Sequence, residues 1–71
     1  MSNVSVQWDQ VFADPKAVSL LQRFVDGDRG FRGTIRSFRR DTARTELYRL
    51  ERAGVASARR RVKSALKNKR S

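Results

Sequence analysis

The residues able to do chemistry in this chain are nearly all arginines and lysines. Arg29, Arg32, Arg36, Arg40 and Arg44 recur every three or four positions, the spacing that aligns side chains along one face of a helix. A second group, Arg59, Arg60, Arg61, Lys63 and Lys67, crowds the C-terminal quarter and is followed by Lys69 and Arg70. At this density such residues neutralise anions. A guanidinium offers a planar fork of donors that fits a phosphate, and an ammonium offers a compact point charge. Acid–base and nucleophilic chemistry have no carrier, because the chain has no histidine and no cysteine, the sources of the commonest base, the thiolate nucleophile and the usual zinc ligands. The seven carboxylates stand singly among cations, which lower a carboxyl pKa instead of raising it toward the range useful for proton transfer. Gly27, Gly30 and Gly33 lack the preceding strand of a nucleotide-binding glycine loop. The expectation is a protein that is not an enzyme and carries no cofactor and no metal.

The charge is unevenly placed. Of 71 residues, 17 are Lys or Arg and 7 are Asp or Glu, a net charge of +10. Residues 1–28 hold two basic residues, Lys16 and Arg23, against four aspartates, whereas residues 29–71 hold fifteen basic residues against Asp41, Glu46 and Glu51. Such a split marks the C-terminal part for an anionic partner, and the leading reading is nucleic acid, DNA or RNA, held through its phosphates with weak sequence preference. The residues expected to meet phosphate are Arg36, Arg40, Arg44, Arg59, Arg60, Lys63 and Lys67. A basic helix face is also what a plainly solvated helix presents, and the carboxylates must claim some arginines. Asp41 with Arg44 and Glu46 with Arg49 stand three apart, the spacing of an intrahelical pair.

The elements that must position these residues are legible from punctuation and period. Asp14-Pro15 is a helix start, with Asp14 as cap and Pro15 where its missing N–H costs nothing. A first helix over 15–26, with Leu21 and Phe24 in its apolar face, ends at Gly27. Phe31, Ile35 and Phe38 form an apolar face opposite the arginines. Gly30 and Gly33 weaken the start of that segment, so the spacing predicts a firm helix over 34–53 that opens at Thr34. Leu47 and Leu50 project on the arginine side of it, so the apolar stripe changes sides near Asp41 to Glu46, and the helix either kinks there or stays continuous and packs different neighbours at its two ends. Gly54 closes that helix, with Val55 meeting Leu50 in a Schellman motif. Ser57 caps a last helix over 57–67, and residues 69–71 form a frayed tail. Val4, Val6 and Trp8 alternate with polar residues, the period of a strand. A lone strand needs a partner, so residues 1–14 read as an extended arm packing Trp8 and Phe12 onto helices, or as a strand paired in a dimer. The expected fold is all-α: one small three-helix domain over 15–68 behind a short extended N-terminal arm.

VSVQW followed by two helices resembles the ribbon-helix-helix repressors, which would imply a dimeric DNA-binding regulator with Ser5 and Gln7 as base readers. ERAGVASARRRV resembles segments of small basic ribosomal proteins, which would imply rRNA binding. RGFRG resembles the Arg-Gly segments of RNA-binding tails, although for a single copy a turn between helices is the simpler role. A helix-turn-helix centred on Gly54 fails, since Arg49 and Arg60 would fall where that motif packs apolar side chains.

Two other partner classes remain. A change of apolar face is more than one small core easily covers, so a homo-oligomer or a larger assembly is an alternative. In that reading the chain is a scaffold or minor component of a nucleoprotein or viral particle that docks on an acidic protein surface, or else the terminal helix folds back over Leu47 and Leu50. Membrane attachment is disfavoured. No apolar run approaches the ~20 residues of a bilayer span, and the basic terminal helix lacks the aromatic or leucine-rich face of interfacial helices. MSNVSVQW has no signal-peptide order. The chain is therefore expected in the cytoplasm or within a nucleoprotein or viral particle.

Overall fold

The computed structural model describes residues 5–70, with side chains through Lys69. Its described residues form five helices and no strand: α1 (Trp8–Phe12), α2 (Ala17–Val25), α3 (Phe31–Ser37), α4 (Asp41–Glu51) and α5 (Val55–Arg70). The all-α class holds, whereas the expected three helices are five.

The extended arm is reduced to residues 5–7, and Trp8 opens a helix. Packing explains the difference. Trp8, Val11 and Phe12 share a side at helical spacing; Val11 is fully buried, and the Trp8 and Phe12 rings stack with centroids 5.8 Å apart. Those contacts outweigh the weak period-two alternation of Val6 and Trp8, whose first member, Val4, lies outside the described residues. The start of α1 is pinned from a distance, because the Gln7 N–H donates to Glu46 Oε2 at 3.2 Å. With no strand at residues 5–8, the paired strand of a ribbon-helix-helix dimer has no counterpart among the described residues.

α2 follows the punctuation of the sequence, two residues late. Pro15 supplies no N–H, and the Ala17 N–H closes a tight turn on the Asp14 carbonyl at 3.0 Å, so regular helix begins at Ala17. At its end Gly27 takes φ +89°. The Asp28 and Gly27 N–H groups donate to the Arg23 and Phe24 carbonyls at 2.9 and 3.1 Å, the two bonds of a Schellman cap.

The helix expected over 34–53 is two helices, α3 and α4, separated at Phe38–Arg40. Phe38 (φ −74°, ψ 142°) and Arg40 (φ −86°, ψ 131°) are extended. Thr34 does not cap. It is fully buried in the middle of α3, and its Oγ1 donates back to the Gly30 carbonyl at 3.2 Å. The helix starts earlier, at Phe31, because the Phe31 and Phe24 rings pack with centroids 4.6 Å apart. Burial of that pair overrides the low helix propensity of Gly33.

α5 opens at Val55 instead of after Ser57, with the Gly54 carbonyl accepting the Ala58 N–H at 2.8 Å. Gly54, at φ +90°, closes α4 through its N–H on the Glu51 carbonyl at 3.0 Å. Val55, expected to fold over Leu50, is 51 % exposed. Helix continues through residues 69 and 70, where a frayed tail is expected; Ser71 lies outside the described residues.

α1 lies on α4, α2 lies on α5, and α3 touches both α2 and α4. One core results, in which Leu21, Phe24, Phe31, Ile35 and Phe38 are buried as expected, together with Leu47, Leu50, Ala58 and Val62. The break at 38–40 answers the change of apolar face. α4 leaves in a new direction, and Leu47 and Leu50 enter the same core as Phe31 and Ile35.

Candidate nucleic-acid interface

The corner between α3 and α4 is built around Asp14. This carboxylate is 2 % exposed and accepts three backbone N–H groups: Lys16 at 2.9 Å, Arg39 at 2.7 Å and Arg40 at 3.0 Å. The last two are N–H groups that a continuous helix would have satisfied internally. Burial alone would raise the Asp14 pKa, but the three N–H donors and the nearby Arg39 charge outweigh it and hold the carboxyl below its usual value. From the other side, Arg44 Nη1 donates to the Phe38 carbonyl at 2.6 Å, while its second amino group pairs with Asp41. The corner therefore carries an anion for its freed donors and a cation for its freed acceptor.

This geometry divides the candidate residues. Arg44 is occupied within the fold. Arg36, in the last turn of α3, and Arg40, at the break, are exposed, and neither enters an ion pair among the described residues. Arg59, Arg60, Lys63 and Lys67 all belong to α5, a separate element that packs chiefly on α2. At about 100° per residue, Arg59, Lys63, Lys67 and Arg60 follow one another round a single flank of α5, beside the buried line Ala58-Val62-Leu66. Arg59 sits over the Phe24 ring, 5.3 Å from its centroid. Lys63 and Lys67 border a shallow groove with Gln22, Val25, Asp26 and Leu66. The candidates thus fall into two clusters, one at the α3–α4 corner and one along α5.

The electrostatics favour the second cluster. From Val55 to the end, the sequence has seven basic residues and no acidic one. Among the described residues, ion pairs join Arg23 with Asp28, Arg32 with Glu51 at 2.7 Å, Arg44 with Asp41, and Arg49 with Glu46 at 3.5 Å. The hydrogen-bonded Glu51 carboxylate raises the Arg32 pKa, fixing its charge within the fold. Four acidic residues thus partner arginines of α2 to α4, and the α5 flank is a predominantly cationic surface with Asp26 at its edge.

Sequence reasoning missed a cleft of about 760 Å³ between α1 and α5, whose walls include Trp8, Asp9, Phe12, Arg61, Ser64 and Lys69. The Lys69 ammonium stands over the Phe12 ring, 4.9 Å from its centroid. The i, i+4 spacing of Trp8 and Phe12 is the signal that could have revealed the α1 wall. The assignment of residues 69–71 to a frayed tail hid Lys69.

No protein-family model matches this chain, and no curated protein or solved structure is significantly similar to it. Among the described residues no helix is long and apolar enough to cross a membrane, and no three carboxylates gather as a metal-ligand set.

Proposed function

We propose that this chain is a small nucleic-acid-binding protein that meets phosphates mainly along α5, with weak sequence preference. The observation that carries the reading is the α5 flank. Arg59, Arg60, Lys63 and Lys67 are exposed on one helix that contains no carboxylate. Four of the seven carboxylates, Asp28, Asp41, Glu46 and Glu51, are paired with arginines of other elements. A long basic helix backed by an apolar core is rigid enough to present four charges to successive phosphates. Their fixed spacing neutralises a backbone without reading bases. Arg36 and Arg40 add to the total where the strand reaches the corner; Arg44 does not, because its donors are already used.

Six phosphate contacts would give a slope of log K against log salt of about −5 on duplex DNA and about −4 on single strands. Replacing Arg60, Lys63 and Lys67 together by glutamate should weaken binding to every sequence equally and flatten that slope by three or more, roughly one for each lost contact. All three positions are exposed, so the variant should keep its helical content. If fluorescence anisotropy shows no binding of random duplex or single strands even at low salt, the reading fails.

A further inference from the structure

We infer that the cleft between α1 and α5 seats an unpaired nucleobase, which makes single-stranded nucleic acid the preferred partner of the basic surface. The inference rests on the phosphate-binding reading above and adds to it the strandedness of the ligand. Two features of the cleft carry it. The first is its aromatic wall. Trp8 and Phe12 stack on one another at an interplanar angle of 26° and both border the opening, and Trp8 is half-buried, anchored below and accessible from the cleft. A base laid against such a surface gains stacking whatever its identity. The second is the charge of the opposite wall. Arg61 and Lys69 bring two cations from α5 to the same opening, one of them directly over the Phe12 ring. A base cannot enter without bringing its phosphate to that rim. Ser64 on α5 and Asp9 on α1 border the same opening and place a hydroxyl and a carboxylate within reach of base edges.

Duplex nucleic acid does not satisfy this site, because its bases are stacked on each other and their faces are closed. A peptide or lipid occupant fits less well. An acidic peptide would use Arg61 and Lys69 but leave the Trp8–Phe12 wall without a planar partner, and an acyl chain would meet the polar Ser64 and Asn68. α5 is shared between the two features. One flank borders the cleft and the other bears Arg59, Lys63 and Lys67, so a strand leaving the cleft continues onto the cationic flank of the same helix.

Trp8 is the only tryptophan in the chain, so the unmodified protein reports on the site. Titration with a single-stranded uridine or thymidine oligonucleotide should quench Trp8 fluorescence in step with binding. A self-complementary duplex of equal charge should bind without that quenching. Trp8→Ala should weaken single-strand binding about tenfold and leave duplex binding unchanged, whereas Trp8→Phe should retain most of the affinity. Circular dichroism of both variants separates loss of stacking from loss of fold. Unchanged Trp8 emission at saturation with single strands, or equal affinity for the two forms, overturns the inference and leaves the phosphate reading standing. Absence of binding to either form overturns both. The RNA and DNA arms decide which single strand is preferred.

Discussion

At the residue scale, Asp14 does more than the helix cap its position beside Pro15 suggests. Its carboxylate holds the start of α2 and, through the Arg39 and Arg40 N–H groups, the corner between α3 and α4. Removing it leaves these N–H groups without their acceptor, at a cost of about 2–4 kcal/mol for Asp14→Ala. Asp14→Asn, which keeps one acceptor oxygen, should cost less. The depressed pKa gives the effect a pH signature. The folded state binds the Asp14 proton more weakly than the unfolded chain does, so the stabilisation is complete above the ordinary value of 3.8 and is lost as pH falls below it. Urea unfolding at about pH 6 and again near pH 2.5 should show the gap between wild type and Asp14→Asn narrowing at the acid end. A gap that is unchanged would mean that the Asp14 charge is unimportant and only its shape matters. Arg44 teaches a related lesson. Its pairing with Asp41 was legible from their spacing, but nothing in the arginine ladder hinted that it also donates to the Phe38 carbonyl.

At the element scale, the helix ends marked by glycine were legible and the starts marked by cap-forming side chains were less so. Gly27 and Gly54 terminate α2 and α4 because a left-handed residue closes a helix whatever lies around it. Thr34 and Ser57 were read as caps, and both lie inside helices, because the burial of Phe31 against Phe24 and of Ala58 in the core extends α3 and α5 toward their N-termini. The break at Phe38–Arg40 was legible only as one alternative, a kink near Asp41 to Glu46, and not at its true position. Neither glycine nor proline marks it, and its decisive partner, Asp14, is some 25 residues away in sequence. The change of apolar face was the only local trace, displaced a few residues toward the C-terminus. The glycines provide a test with opposite signs. A Cβ would meet nothing within 4 Å at either Gly54 or Gly33, so space does not decide the outcome. Gly54 has φ +90°, whereas Gly33 lies within α3. Gly54→Ala should therefore cost about 1 kcal/mol, and Gly33→Ala should stabilise by about 0.5–1 kcal/mol, read as melting temperatures shifted down and up by a few degrees. If both variants melt lower, the helical backbone at Gly33 is wrong.

At the scale of the whole molecule, the question is whether the chain needs a second copy. Leu47 and Leu50 face away from the Phe31-Ile35-Phe38 stripe on any straight helix, which calls for either a second copy or the terminal helix folded back over them. With α4 redirected at the corner, both are fully buried within one chain, covered by the packing of α1 and α5 around them. The chain folds to a radius of gyration of 10.8 Å, close to the ~11 Å of a compact domain of this length. The large apolar side chains left most exposed, Val18, Tyr48 and Val55, belong to three different helices, and isolated exposed apolar residues need no partner. Ten excess positive charges on a body this small oppose self-association until an anion screens them. Light scattering of nuclease-treated protein at moderate salt should therefore give the monomer mass, and addition of a long single strand should produce larger particles that salt dissolves. A dimer that survives both nuclease and salt would show that a protein surface drives assembly. In that case the cationic flank of α5 would have to be reconsidered as an interface for an acidic protein, the role that its lack of carboxylates suits next best.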